Sequence, residues 1–210
     1  LEIVMRGIQR VVVVLAGLAS LLAMASSAGA VTWHNTGDTA FTAINSSSNT
    51  LSVTGVNQVC TGTSSTGTAA AGSIAGTTYV GINMTTTFTG CSLSGSPIAW
   101  ECTERFTTTS QVSTTFPGTL DTRCEMSQFN TVLCVIEGQT AVTYHNPVAP
   151  SIGGRFTFTH SSTLRTTDGS GGSCPYGTGE PLTLPGHTRT ITAGTGGPSP
   201  HLGPVLTRTA

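Results

Sequence analysis

Apolar and polar residues alternate with a period of two through most of this chain. "PIAWECTERF" sets Ile98, Trp100, Cys102 and Phe106 on one face and Glu101, Thr103 and Arg105 on the other. That is the pattern of a half-buried β-strand. "TTYVGINMTTTFTGC" keeps Val80, Ile82, Met84 and Phe88 on one face, and "GRFTFTH" aligns Phe156, Phe158 and His160. "TVLCVIE" differs, with Val132, Cys134 and Ile136 facing one way and Leu133 and Val135 the other. A strand apolar on both faces is expected to be central and covered.

"VTWHNTGDTAFTA" and "TLSVTGVNQVCTG" each read as two short extended pieces around a turn, and "TRTITAG" and "GPVLTRT" supply late strands. Threonine recurs throughout, and its branched Cβ suits a pleated, half-exposed sheet. Residues 61–75, "TGTSSTGTAAAGSIA", carry little side-chain bulk and read as a loop or a weak edge strand. No helical period is found past residue 30. Short strands broken every eight to twelve positions predict an all-β fold, a single antiparallel β-sandwich or distorted barrel over residues 31–210.

The N-terminus has another texture. Arg6 and Arg10 precede the apolar run "VVVVLAGLASLLAM", and small residues ending in Ala28-Gly29-Ala30 follow. That layout predicts a secretory signal peptide over residues 5–30, with residues 1–4 upstream of it and the mature chain starting at Val31. The run is too short for a comfortable membrane span, so contact with the membrane is expected only through the leader before cleavage. The expected location is secreted, extracellular.

Composition narrows the partners. Charged residues make up 8% of the chain and lysine is absent. With so little positive charge, nucleic acid and anionic membrane surfaces are not expected partners. A lysine-free chain rich in Ala, Gly, Thr and Val fits a GC-rich bacterial genome.

All six cysteines, Cys60, Cys91, Cys102, Cys124, Cys134 and Cys174, follow the leader. In an exported chain they are expected to form disulfides. "CEMSQFNTVLC" places Cys124 and Cys134 about a turn near Phe129-Asn130, which suggests a bridge across a hairpin. Cys60 with Cys91 is the next expected pair, leaving Cys102 with Cys174.

Candidate chemistry is sparse. Asp168-Gly169-Ser170-Gly171-Gly172 approaches the G-D-S-G-G loop of trypsin-like proteases. Here a glycine separates the aspartate from the serine, and no matching histidine segment surrounds His34, His145 or His160. Asp-Gly and Gly-Gly are turn dipeptides, and the stretch is expected to be a turn. The five histidines show no ligand spacing and the cysteines no C-x-x-C, so neither a metal nor another cofactor is expected. Glu101 and Glu104 fall on opposite faces of one strand and cannot form a catalytic carboxylate pair by themselves. Asp38 sits in a turn-like setting, where aspartate bonds local backbone. Among the aromatics, Trp33 and Tyr176 are the least explained by strand packing.

Four short pieces carry a likeness: Phe41-Thr42-Ala43, Leu51-Ser52-Val53, Val59-Cys60-Thr61 and Cys91-Ser92-Leu93. In this order they resemble the small secreted proteins known as alkane oxidation activators, over roughly residues 41–102. The resemblance implies an exported β-rich accessory protein of the cell surface or biofilm, and it carries over no functional residue. The expected function is therefore a non-enzymatic, structural or accessory role at the cell surface or in the extracellular matrix, with an unknown surface or matrix partner. A carrier for a small apolar ligand is the alternative, and a secreted hydrolase the third.

Overall fold

In the computed structural model the alternating segments become fifteen strands among the described residues. The residues described are 30–45, 49–53, 56–148, 150, 152–172, 174–183 and 186–209. The expected leader, up to residue 29, lies outside them. Val31–Thr209 forms one unit.

The strands in chain order are β1 (Thr32–Asn35), β2 (Ala40–Asn45), β3 (Asn49–Val53), β4 (Val56–Cys60), β5 (Gly62–Ala69) and β6 (Gly72–Ala75). Next come β7 (Tyr79–Leu93), β8 (Ser96–Thr108), β9 (Thr115–Gln128) and β10 (Thr131–His145). The last are β11 (Arg155–Ser162), β12 (Arg165–Asp168), β13 (Leu182–Thr183), β14 (Thr188–Thr195) and β15 (Leu206–Thr209).

Antiparallel pairing runs β7-β5-β2-β14-β11-β10-β9-β8, and β8 returns to pair with β7. Eight strands thus close on themselves. The circuit is completed by a short contact, β11 meeting β14 over three residue pairs, so the strands form the expected all-β arrangement as a distorted, partly closed barrel. Strands β13, β3 and β4 extend from β7, β12 pairs with β10, and β15-β1-β6 form a separate three-stranded sheet.

The four long strands, β7 to β10, carry two apolar clusters stacked along their length. One gathers Phe88, Trp100, Met126, Ile136, Tyr176 and the six cysteines. The other gathers Trp33, Phe106, Phe116, Leu120, Tyr144 and Phe156. Trp33 and Tyr176, unexplained by strand patterning, are both core residues. Trp33 packs its ring against Tyr79 and Phe116, and Tyr176 donates a 2.6 Å hydrogen bond to Gln58 Oε1.

Three expectations are corrected. Residues 62–69 are neither a loop nor an edge: β5 lies inside the ring between β2 and β7. Its small residues fit because larger neighbours cover them. Phe41 stands directly opposite Gly67, and a Cβ there would lie 2.3 Å from the Phe41 ring. Val80 does not share a face with Ile82, since a register shift between them leaves Val80 exposed. A bulge inserts one residue and so reverses which side chains face inward.

The third correction concerns the disulfides. Cys60–Cys91 is bridged, but the others are Cys102–Cys124 and Cys134–Cys174. The β9–β10 hairpin does turn at Phe129-Asn130, both with positive φ. Its register shifts between Val132 and Cys134, however, placing Cys124 opposite Ile136 and Cys134 opposite Met126. Cys124 instead faces Cys102 directly across β8 and β9, with Cα atoms 3.9 Å apart. Cys134 reaches the loop after β12, where the Cys174 N–H is held by Asp168 Oδ1 at 2.9 Å.

Candidate functional site

The expected turn at Ser170 is a turn. Gly169 and Gly172 bridge across it, Ser170 is exposed, and the Asp168 carboxylate is occupied with the Cys174 backbone. The side chain of His160 lies outside the described residues. Among the described residues no three His, Cys, Asp or Glu side chains group as metal ligands.

Two features come from the barrel wall. The first is internal. On β7, β8 and β9 the inward row is interrupted at Thr86, Glu104 and Thr122, between the two apolar clusters. Ser65 hydrogen-bonds Thr86 at 2.8 Å, Thr86 donates to Glu104 Oε2 at 2.6 Å, and Arg189 from β14 donates to that same oxygen at 2.5 Å. The guanidinium carbon sits 4.5 Å from the centre of the Phe158 ring and 5.9 Å from that of Phe88. A buried charge is tolerable only when paired and hydrogen-bonded, as here. Glu101, one turn of the pleat away, is exposed, so the two glutamates do lie on opposite faces.

The second feature is external. On the outer face a groove of about 800 Å³ runs across β14, β2, β5, β7, β8 and β9. Along its floor Thr42, Thr66, Thr85 and Thr103 are direct partners on four adjacent strands, all exposed. Thr68 and Asn83 form a further cross-strand pair beside them.

At the β8–β9 side the groove meets charge, but compensated charge. Arg105 lies 3.5 Å from Asp121, whose other oxygen accepts from Gln139 at 2.7 Å. Arg123 bonds Glu125 at 3.0 Å and also Glu137. Those two carboxylates push the Arg123 guanidinium further above its ordinary value.

One end of the barrel is covered by residues 196–206. Here Asp38 departs from the expected local turn role: its carboxylate bonds His201 Nδ1 at 2.9 Å and the Gly203 N–H at 2.8 Å. Tyr144 donates to the Pro204 carbonyl at 2.5 Å, and Asn35 and Asn146 take the Val205 and Leu206 N–H groups. A buried aspartate orienting a half-exposed imidazole is also how a general base is held. No hydroxyl among the described residues bonds this ring, and the pair acts here as a latch for the C-terminal segment.

Comparison with protein-family models, with curated proteins and with solved structures gave no match.

Proposed function

We propose that this protein works outside the cytoplasm as a non-catalytic, disulfide-stabilised β-barrel that attaches to the cell surface or to extracellular matrix material. The observation carrying this reading is that the barrel is filled along its length by its own side chains. Trp33, Phe116, Tyr144, Phe106 and Phe156 pack one half, and Trp100, Met126 and Ile136 the other. Recognition then falls to the outer surface, where the groove lies. The same filling weighs against an apolar carrier, which needs an interior cavity.

Three disulfides suit an oxidising compartment. The outer face favours attachment over spanning: Asn83, Thr85, Thr87, Glu101 and Arg105 all point outward and are exposed, where a membrane barrel carries an apolar band. The resemblance of residues 41–102 to exported alkane oxidation activators points to the same kind of role.

The test is fractionation of cells producing the full chain, with alkylation to read the thiols. The expected result is oxidised protein retained on washed cells or matrix and released by mild denaturant. Reduced protein in the cytoplasm, or oxidised protein wholly free in the medium, overturns the reading.

A further inference from the structure

The groove on the outer wall raises the question of what it takes, and its chemistry answers by elimination and by fit. Its floor strands β2, β5, β7 and β8 are each paired on both sides. They offer no free backbone edge, so an extended peptide cannot add itself as another strand. Its aromatic, Phe41, is turned inward, 4% exposed beneath Gly67, so the groove offers no ring for stacking. A polyanion finds no free cation: Arg105 is matched by Asp121, and Arg123 by Glu125 and Glu137.

The groove carries neutral hydrogen-bonding groups set in a largely apolar lining. Thr42, Thr66, Thr85 and Thr103 present hydroxyls on successive strands, in register across the groove. Adjacent strands lie about 4.8 Å apart, so the hydroxyls repeat at roughly that step. Asn83 adds an amide, which both donates and accepts, and Asp121 adds an acceptor near one end. Each threonine also offers a methyl group beside its hydroxyl, a mixed surface suited to the alternating C–H and O–H faces of a sugar ring.

We propose that this groove binds a neutral, hydroxyl-rich polysaccharide chain laid across β2, β5, β7 and β8. The inference rests on the surface-attachment reading above and gives it a ligand class. Binding through hydroxyls without a stacking aromatic is weak per site, so a long chain meeting many copies of the protein is the expected mode of retention.

The experiment is native affinity electrophoresis of the full oxidised protein in gels containing dextran, mixed-linkage β-glucan or galactomannan. Polygalacturonate serves as the acidic comparison. Retardation by at least one neutral polymer and none specific to polygalacturonate is expected. A Thr66→Val/Thr85→Val variant should lose at least tenfold in apparent affinity, while Thr66→Ser/Thr85→Ser, which keeps the hydroxyls, should bind within about threefold of the parent. Both pairs lie on the exposed face, and equal thermal midpoints confirm folding. Should the valine variant fail to fold, Asn83→Ala takes its place with the same expected loss.

No retardation by any of the three neutral polymers overturns the proposal, as does unchanged binding by the valine variant or preferential binding of polygalacturonate. Each of these leaves attachment to cells or matrix standing if fractionation still finds it there. Conversely, retardation by a neutral polymer with no retention on cells removes the attachment reading and keeps the groove.

Discussion

Arg189 and Glu104 meet inside the barrel at 2.5 Å, from strands β14 and β8, with side chains only 1% and 3% exposed. Thr86 binds both, and Phe158 lies against the guanidinium. The pair ties together two walls that do not neighbour each other in the ring. Removing one partner strands the other charge in a dry interior. Glu104→Gln or Arg189→Met alone should cost about 3–5 kcal/mol, and Glu104→Leu/Arg189→Met together markedly less than the sum. Urea unfolding of the two single variants and the double variant measures this, and additive losses would show that the charges do not depend on each other.

Stability should fall at alkaline pH for a reason that can be assigned. Burial pushes the Tyr176 phenol up to about 12, and pushes Tyr79 and Tyr144 up as well. In the unfolded chain each titrates near about 10. A folded value above the unfolded one means that the folded state holds its proton more tightly. The contribution is complete below about pH 10 and is lost as pH rises through the folded values. Denaturant midpoints followed from neutral pH upward should decline beyond about pH 10, and a flat profile to about pH 12 would contradict the burial of these rings.

The disulfide pattern is open to direct chemical test. Peptide mapping without reduction should join the Cys102 peptide to the Cys124 peptide and the Cys134 peptide to the Cys174 peptide. The Cys134–Cys174 bridge spans 40 residues of sequence, so replacing both with serine should cost up to ~4 kcal/mol by loop-closure entropy. A Cys124–Cys134 cross-link would contradict the register of the β9–β10 hairpin.

Which parts of this were readable beforehand follows from what each depended on. The period-two pattern made the strands of "PIAWECTERF" and "GRFTFTH" legible, because large apolar residues mark an inner face. Strand β5 gave no such mark, since Ser65, Gly67 and Ala69 are inward yet small. Ring closure depends on β14 lodging between β2 and β11, a long-range choice that no local pattern encodes.

One signal for the internal ion pair was present. Glu104 occupies the same phase as Ile98, Trp100, Cys102 and Phe106, and Arg189 that of Ile191. A charge at an inward position asks for a partner, and only the fold says which. The groove was hidden because its lining is brought together by the order of strands around the ring.

The C-terminal segment should detach before the barrel opens. Asp38→Ala leaves the Gly203 N–H without its carboxylate and His201 without its anchor. A cost of about 1–3 kcal/mol is expected from the buried donor left unpaired. Amide exchange at Gly203 and proteolysis within residues 196–203 should both quicken, while exchange in β8 and β9 stays near that of the parent. Equal acceleration everywhere would mean that the segment and the barrel open as one.

The order of strands around the ring also fixes a timetable. A chain emerging from its N-terminus can pair β7, β8, β9 and β10 with one another as soon as they appear. The gap between β2 and β11 stays open until Thr188–Thr195 arrives, and β1 waits for Leu206–Thr209. Closure is therefore withheld until β14 is present, because the contacts that complete it join segments far apart in sequence. Before that moment the chain is a string of hairpins with an open seam; afterwards the circuit of strand pairings is complete.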